Sequence, residues 1–299
     1  MTNTSSPKTP LMESETNLYD EAPVPMFDRL QLLQGFHPRK ALDRLAEDVK
    51  RAIRVGNYWY WLEVPELEEG IEIADLICPL RYDVVVRRDF YSFYEANRDL
   101  YHSDFDGFVE LVRQSSYYTW FAASEAVRCR PYLLDDHDRL WTQFVNQIHK
   151  AVALYESMER CGFDEQAPLI LRTAENLLPP TADRLAPPTG KSIADRYFMA
   201  DGCHRLAWLM SRGYTVLPAA FFRVQCFREF SPFDSTSLLA RSLPMTPAEY
   251  FSFLSSRYCR PLVFEDKDGF LEHIAEYSPD AMDEVLSILR VDGFDAGAS

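Results

Sequence analysis

The chain has 299 residues, of which 47% are hydrophobic, and it carries a formal net charge of −15 at pH 7. This length and apolar content predict a globular protein with a large core, arranged as one elaborated domain or as two. Because the average field of so acidic a protein repels phosphate backbones and anionic lipid, the charge argues against nucleic acid or a membrane as partner.

The N-terminal region divides into a tail and a helical segment. Residues 1–25 are rich in Ser, Thr, Pro and acidic residues, which is typical of a disordered tail. Residues 26–69 are predicted to form an N-terminal helical segment, in which Leu42, Leu45 and Val49 recur at helical spacing between His37 and Tyr60. The first residues lack the apolar stretch of a secretory signal, and no run approaches the roughly 18 apolar residues of a membrane span. A cytoplasmic location is therefore expected.

A predicted strand and a predicted helical insertion follow residue 70. Residues 71–79 alternate apolar and polar side chains as a half-buried strand does, and Pro79 is expected to end it. Residues 89–161 carry apolar side chains such as Leu140 and Phe144 at helical spacing, which predicts a large helical insertion. The aromatic side chains of this insertion are expected to pack in the core.

A loop and a second helical region complete the chain. Residues 178–192 are rich in proline and predict a loop, which could cover the neighbouring anion site and bring Lys191 near it. The alternative is a loop lysine that faces water. The tripeptide around Lys191 is not a phosphate-binding loop of the Gly-x-x-x-x-Gly-Lys-Ser type, because Leu185 occupies the first glycine position. Residues 226–299 are predicted to be a C-terminal helical extension. A capping box at residues 246–249 predicts the start of one helix in this extension. A further single helix is predicted over residues 270–289.

The segment after the apolar run 197–200 carries the strongest indication of chemistry, because it opens an apparent helix with Asp201-Gly202-Cys203-His204-Arg205. A helix start offers unpaired backbone N–H groups and the positive end of the helix dipole, so the segment predicts an anion site. Gly202 lets a ligand approach the backbone closely, and Asp201 is expected to cap the helix. His204 and Arg205 are expected to add positive charge. The alternative is a capped helix whose polar side chains face water.

The same residues, with their spacing to neighbouring segments, resemble the ParB/sulfiredoxin superfamily. In that family a strand leads into Gly-x-His-Arg, a helix follows, and a turn with a glycine and a proline, here Gly213 and Pro218, opens the next strand. Residues 71–81 resemble the family's opening strand with its phosphate-side loop, and residues 162–171 resemble its next strand. The resemblance covers residues 70–225, interrupted by the insertion. It implies an α/β fold with a mixed-sheet core, enlarged by the insertion and the C-terminal helices.

The resemblance also implies a nucleotide-binding enzyme, a kinase or a nucleotide hydrolase. It would transfer or hydrolyse a phosphate of ATP or another nucleoside triphosphate, with Mg²⁺ as cofactor and a small molecule as acceptor. Phosphoryl transfer needs mainly positioning and charge neutralisation. Asp201, by its proximity, and Asp83, in the first loop, are the candidate catalytic bases, and no residue is assigned as a metal ligand. The residues expected to bind the nucleotide are Gly202, His204, Arg205, Arg81 and Lys191.

Two other functions stay open. Cys203 stands where sulfiredoxin has its catalytic cysteine, and a thiol at a helix start beside cationic groups is expected to be nucleophilic, which favours a sulfiredoxin-like reductase. Against it, Asp201 replaces a glycine of that family's pattern, and this chain is far longer. The other alternative is a non-catalytic, ParB-like nucleotide-gated binding protein. The acidity of the chain and the lack of a helix-turn-helix pattern argue against it, and the oligomeric state is left open.

Overall fold

The computed structural model describes residues 59–124, 136–178, 180, 196–242 and 245–294. Within these ranges the protein has a mixed α/β structure with a four-stranded sheet and a separate two-stranded sheet. The strands are β1 (Trp59–Leu62), β2 (Ile71–Glu72), β3 (Leu169–Leu177), β4 (Phe198–Asp201), β5 (Val216–Leu217) and β6 (Phe222–Phe230). The helices are α1 (Ile73–Ile77), α2 (Tyr82–Ala96), α3 (Arg98–Ser103), α4 (Phe105–Arg113), α5 (Ser116–Ala123), α6 (His137–Cys161), α7 (Cys203–Ser211), α8 (Ser235–Ser242), α9 (Pro247–Tyr258), α10 (Lys267–Tyr277) and α11 (Met282–Asp292).

The four-stranded sheet has the order β1-β6-β3-β4 and is mixed. β3 runs parallel to β6, whereas the pairs β3–β4 and β1–β6 are antiparallel. The register of the parallel pair places Leu169 opposite Phe222 and Leu171 opposite Val224. Because all four side chains are buried, these two strands form the centre of the core.

Helices from the insertion and the C-terminal region supply many of the large side chains of the core. α2 packs along α7, α6 also contacts α7, and α8 contacts both α2 and α5. Burial of a phenylalanine-sized side chain stabilises the fold by about 1.5–3 kcal/mol relative to exposure. The largest fully buried side chains include Tyr91, Tyr94, Phe108, Tyr117 and Phe144. The prediction that aromatic side chains of the insertion pack in the core is therefore confirmed.

The predicted strand over residues 71–79 is wrong beyond its start, because β2 ends at Glu72 and α1 begins at Ile73. Apolar residues in this segment satisfy both an alternating pattern and a helical one. The buried side chains are those of Ile73, Leu76 and Ile77, which share one face of a helix. Packing of this face against the core therefore selects the helix.

The helices predicted over residues 89–161 are present wherever the structure describes this range, but the first of them begins earlier. α2 starts at Tyr82, so Asp83 and Arg87 lie on a helix and not in the loop that the sequence predicts after the first strand. Because residues four positions apart share one face of a helix, Arg87 lies beside Asp83.

The C-terminal region differs from its prediction at two places. β6 extends to Phe230, so the sheet passes the boundary predicted at residue 225. The single helix predicted over residues 270–289 is two helices, α10 and α11, separated around Pro279, which cannot continue an α-helix. The capping box is confirmed: Thr246 Oγ1 accepts the N–H of Glu249 at 3.2 Å, and Glu249 Oε2 accepts the N–H of Thr246 at 2.8 Å.

Residues 59–62 form β1, although the sequence predicts a helical segment over residues 26–69. The remainder of that prediction up to residue 58, the tail 1–25 and the loop with Lys191 lie outside the described residues. No helix in the described ranges combines the length and the apolar composition that a membrane span requires.

Candidate functional site

The turn between β4 and α7 requires glycine at position 202. Gly202 directly precedes α7 and has a φ of 89°, which is a left-handed conformation. A Cβ atom there would lie 2.2 Å from Leu169 Cδ2, so both the backbone and the available space exclude a larger residue. No side chain among the described residues caps α7. The backbone N–H groups of Cys203, His204 and Arg205 therefore keep their capacity to bind an anion.

Asp201 is the last residue of β4 and does not cap α7 as the sequence predicts. Its Oδ1 atom accepts the N–H of Gly202 at 2.7 Å, and this N–H group lies before the helix. The Asp201 side chain is 32% exposed, and its Oδ2 atom lies 3.8 Å from Arg205 Nη2. Asp201 is thus a carboxylate at the outer edge of the site.

Arg205 is a partly exposed cation at the start of α7. Its side chain is 21% exposed, and its Nη1 atom donates a hydrogen bond to the carbonyl of Ala167, in the segment before β3. The guanidinium also lies against Gly202, since a Cβ atom on Gly202 would be 2.9 Å from Arg205 Nη2. Arg205 therefore lies beside the first-turn N–H groups, where a bound anion would contact it.

Arg81 lies on the buried side of the start of α7 and connects three elements. Its Nη1 atom donates to the carbonyl of Met199 in β4 at 2.6 Å, and its Nη2 atom lies 2.9 Å from Cys203 Sγ. Its Nε atom donates to Asp83 Oδ1 in the first turn of α2 at 2.9 Å. Because this buried guanidinium is already bonded to protein groups, Arg81 offers its charge to the site and not a direct hydrogen bond to a ligand.

Asp83 is buried between two arginines. Its carboxylate accepts hydrogen bonds from Arg81 and Arg87, and from Ser235 Oγ at 2.5 Å. Burial opposes the ionisation of Asp83, but the attraction of Arg81 and Arg87 outweighs it and holds the pKa of this carboxyl well below its usual range. A carboxylate that keeps its charge so firmly is a weak base. These surroundings disfavour Asp83 as a catalytic base, and its carboxylate holds the two guanidinium groups.

His204 is buried, and both of its ring nitrogens have partners. Its Nε2 atom lies 3.0 Å from Gln147 Nε2, and its Nδ1 atom lies 3.2 Å from the hydroxyl of Tyr91. Because an amide nitrogen only donates, His204 Nε2 accepts, and the proton on Nδ1 is donated to Tyr91. Burial and the charge of Arg87 lower the pKa of His204 well below its ordinary value, against a smaller opposing effect of Asp83. His204 is therefore neutral at pH 7, and the expectation that it adds positive charge is wrong.

The buried ions beside the start of α7 carry an excess of positive charge. Arg81, Asp83 and Arg87, which we call the ion cluster, contribute two cations and one anion, while His204 contributes no charge. Unbalanced charge away from water is costly, and the positive ends of the α2 and α7 dipoles both lie beside Arg81. The electrostatics therefore favour an anionic group of a bound ligand at the start of α7.

Sequence reasoning missed several residues that build this site. Asp83 and Arg87 are four positions apart on α2, a spacing that favours an ion pair on a helix and could have indicated the pairing. Ser235 gives no local signal, because it lies 152 positions from Asp83. The same holds for Tyr91 and Gln147, which reach His204 from 113 and 57 positions away.

A cavity of about 540 Å³ lies elsewhere, between β1, the turn that follows it and the start of β6. Its lining is mostly apolar and includes Trp61, Leu67 and Phe222, but it contains neither the ion cluster nor the first residues of α7. Because buried charge and unpaired backbone donors meet at α7, we place the candidate site there.

No protein-family model, curated protein or solved structure matches the chain. Within the described ranges, no group of three or more His, Cys, Asp or Glu side chains is arranged to hold a metal ion. Function is therefore inferred from the geometry and the electrostatics of the start of α7.

Proposed function

We propose that the protein binds the terminal phosphate of a nucleotide at the start of α7 and transfers it to a small molecule or hydrolyses it. One observation carries this proposal: α7 follows a left-handed glycine, has no side-chain cap among the described residues and begins beside an ion cluster with excess positive charge. The N–H groups, the helix dipole and the buried cations all favour the same ligand charge. A phosphate group satisfies all three.

Each part of the site has a separate task in this proposal. The backbone N–H groups of Cys203, His204 and Arg205 donate to phosphate oxygens, and the guanidinium of Arg205 binds a further oxygen from the solvent side. The ion cluster stabilises the ligand by its charge from the buried side. Because β4, α2 and α7 hold these groups before the ligand arrives, little reorganisation is needed as charge develops on the phosphoryl group.

Asp201 is the base in this proposal. Its carboxylate is partly exposed beside Arg205, whereas the carboxylate of Asp83 is held by two arginines. Asp201 takes the proton of the acceptor hydroxyl while the acceptor oxygen bonds to phosphorus and the bond to the leaving nucleoside diphosphate breaks. Asp201 is thus the one of the two expected bases that the proposal retains.

A Mg²⁺ site built by the protein alone is not part of this proposal. Mg²⁺ prefers oxygen ligands, but the oxygens of Asp83 already accept hydrogen bonds from Arg81, Arg87 and Ser235. Asp201 offers a single carboxylate at the edge of the site. The residues therefore fit Mg²⁺ as a companion of the nucleotide, held mainly by the phosphates, whose charge it would neutralise.

Replacing Arg205 with Ala is expected to weaken nucleotide binding about tenfold, because one charge-assisted contact is lost while the backbone N–H groups remain. A thermal-shift screen of ATP, CTP and GTP first identifies the nucleotide, since a ligand at 100 times its Kd stabilises by about 2.7 kcal/mol. Calorimetry with that nucleotide then gives the affinities of the parent and the variant.

The control for this experiment is Arg212→Ala. Arg212 follows the last residue of the same helix and pairs with Glu95 and Glu159, so its loss is expected to leave nucleotide affinity unchanged. Two outcomes count against the proposal: a folded Arg205→Ala variant that binds like the parent, or a parent that no nucleotide stabilises.

Reductase chemistry at Cys203 is a second candidate, which one distance favours. The Sγ atom of Cys203 lies 2.9 Å from Arg81 Nη2, so this sulfur stands beside a buried cation at the start of α7. A sulfiredoxin-like enzyme would use the sulfur of Cys203 as its nucleophile.

Replacing Cys203 with Ser separates the two candidates. Phosphate chemistry uses the backbone and the cations, so nucleotide turnover is expected to stay within a few-fold of the parent. A sulfur nucleophile cannot be replaced in this way, since a serine hydroxyl is far less acidic. Phosphate release is measured for the parent, for Cys203→Ser and for Cys226→Ser, which removes a buried cysteine of β6 as a control. Loss of all turnover in Cys203→Ser alone would place the reductase first.

A further inference from the structure

In the part of the chain that the structure describes, three buried polar atoms near α5 have no hydrogen-bond partner: Arg87 Nε, Trp120 Nε1 and Ser124 Oγ. Their residues are only 7%, 5% and 4% exposed, so bulk water does not reach them. A buried donor without an acceptor costs free energy, and most such groups in folded proteins are paired. We call these three residues the donor cluster.

The members of the donor cluster are neighbours. The Cζ atom of Arg87 lies 4.1 Å from the centre of the Trp120 ring. Trp120 lies in the last turn of α5, and Ser124 directly follows this helix with helical backbone angles. Because the two residues are four positions apart, their side chains lie on the same face. The guanidinium of Arg87 binds Asp83 through Nη1, which leaves its Nε edge for a different partner.

The chemistry of the donor cluster points to an oxyanion. Guanidinium and indole N–H groups can only donate, and a serine hydroxyl can donate as well. An oxyanion offers several acceptor oxygens to such donors, whereas a water molecule has fewer acceptor positions and brings no charge. A negative charge would also be attracted by the guanidinium of Arg87, which shares the carboxylate of Asp83 with Arg81.

We propose that Arg87, Trp120 and Ser124 form a binding site for a small oxyanion, the carboxylate or phosphate group of a small molecule. The site lies between α2 and α5 and differs from the start of α7, where the backbone N–H groups bind the ligand. It does not depend on nucleotide binding at α7. The two sites are neighbours because Asp83 holds both Arg87 and Arg81.

The test titrates the full chain with acetate and with inorganic phosphate, and follows thermal unfolding and tryptophan fluorescence. The double variant Trp120→Phe/Ser124→Ala keeps an aromatic ring over Arg87 but removes both donors of α5. Its affinity for the oxyanion is expected to fall about tenfold, which corresponds to about 1.4 kcal/mol. The matched control is Trp141→Phe, because the ring of Trp141 lies 5.0 Å from Arg113 Cζ, outside the donor cluster. This control is expected to bind like the parent.

The two ligands identify the source of the oxyanion, since preference for acetate indicates a carboxylate and preference for phosphate indicates a phosphate group. Arg205→Ala separates the donor cluster from the start of α7, because it is expected to leave binding at the donor cluster unchanged. If the double variant does not fold, Ser124→Ala alone carries the test with an expected loss of about fivefold. The proposal is overturned if neither ligand binds the parent, or if Ser124→Ala binds as tightly as the parent.

Discussion

Replacing Asp83 with Asn is expected to lower the free energy of unfolding by about 3–5 kcal/mol. The substitution keeps the size of the side chain but removes the negative charge that Arg81 and Arg87 share. Two buried guanidinium groups then lack a counter-charge, and the amide accepts fewer hydrogen bonds than the carboxylate does. Chemical denaturation of the parent and the variant, followed by circular dichroism, measures the difference.

Asp89→Asn is the matched control for this experiment. Asp89 lies on the same helix, α2, and pairs with Arg88 at 2.7 Å, but their side chains are 57% and 38% exposed. A surface pair of this kind contributes about 0–1 kcal/mol, so the control is expected to unfold nearly like the parent. If Asp83→Asn were no less stable than this control, the ion cluster would not be needed for the fold.

The free energy of unfolding is expected to fall by about 2 kcal/mol as the pH drops from about 7.5 to about 5, because His204 takes up a proton more readily in the unfolded chain. In the unfolded chain this imidazole takes up a proton near a pKa of about 6.5. In the folded protein, burial and the charge of Arg87 hold the pKa of His204 well below that value. The contribution is therefore fully present above the unfolded pKa and is lost as the pH falls toward the folded pKa.

Denaturation of the parent and of His204→Asn over this pH range measures the effect. The variant has no imidazole at this position, so its stability is expected to vary less with pH. His102→Asn, which removes a half-exposed imidazole of α3, is the control and is expected to keep the slope of the parent. Asp83 does not interfere, because a carboxyl with a lowered folded pKa loses its contribution only below a pH of about 4. Equal slopes for the parent and His204→Asn would contradict a neutral, buried His204.

The fold could be predicted where its signals are local. The sequence around Gly202 is an example, since an apolar run precedes this glycine and a helical apolar pattern follows it. This order predicts a strand, a turn and a helix, and the structure has β4, Gly202 and α7 in this order. The segment from Ile71 to Ile77 could not be predicted in the same way, because its apolar residues fit both the alternating pattern of a strand and the spacing of a helix. Burial of the face formed by Ile73, Leu76 and Ile77 decides between them, and that burial depends on distant parts of the chain.

The backbone of the candidate site could be predicted better than the charge states of its side chains. The position of Gly202 before a helix follows from the sequence, and the resemblance implies a phosphate-side loop that includes Arg81, which lies 2.9 Å from Cys203 Sγ. The charge states depend on burial and on remote partners: burial lowers the pKa of His204, and two arginines lower the pKa of Asp83. A sequence shows neither how much water reaches a side chain nor which remote cation pairs with it.

The contacts that close the ion cluster join distant parts of the chain. Arg81 contacts Met199 and Cys203, which lie 118 and 122 positions further along, and Ser235 lies 152 positions beyond Asp83. A helix such as α2 forms early from local contacts, whereas pairings over such separations form late in folding. In a chain made from the N-terminus, the hydrogen bond between Ser235 and Asp83 can form only after Ser235 has been synthesised. The ion cluster therefore gains its hydrogen bond from Ser235 only when most of the chain exists.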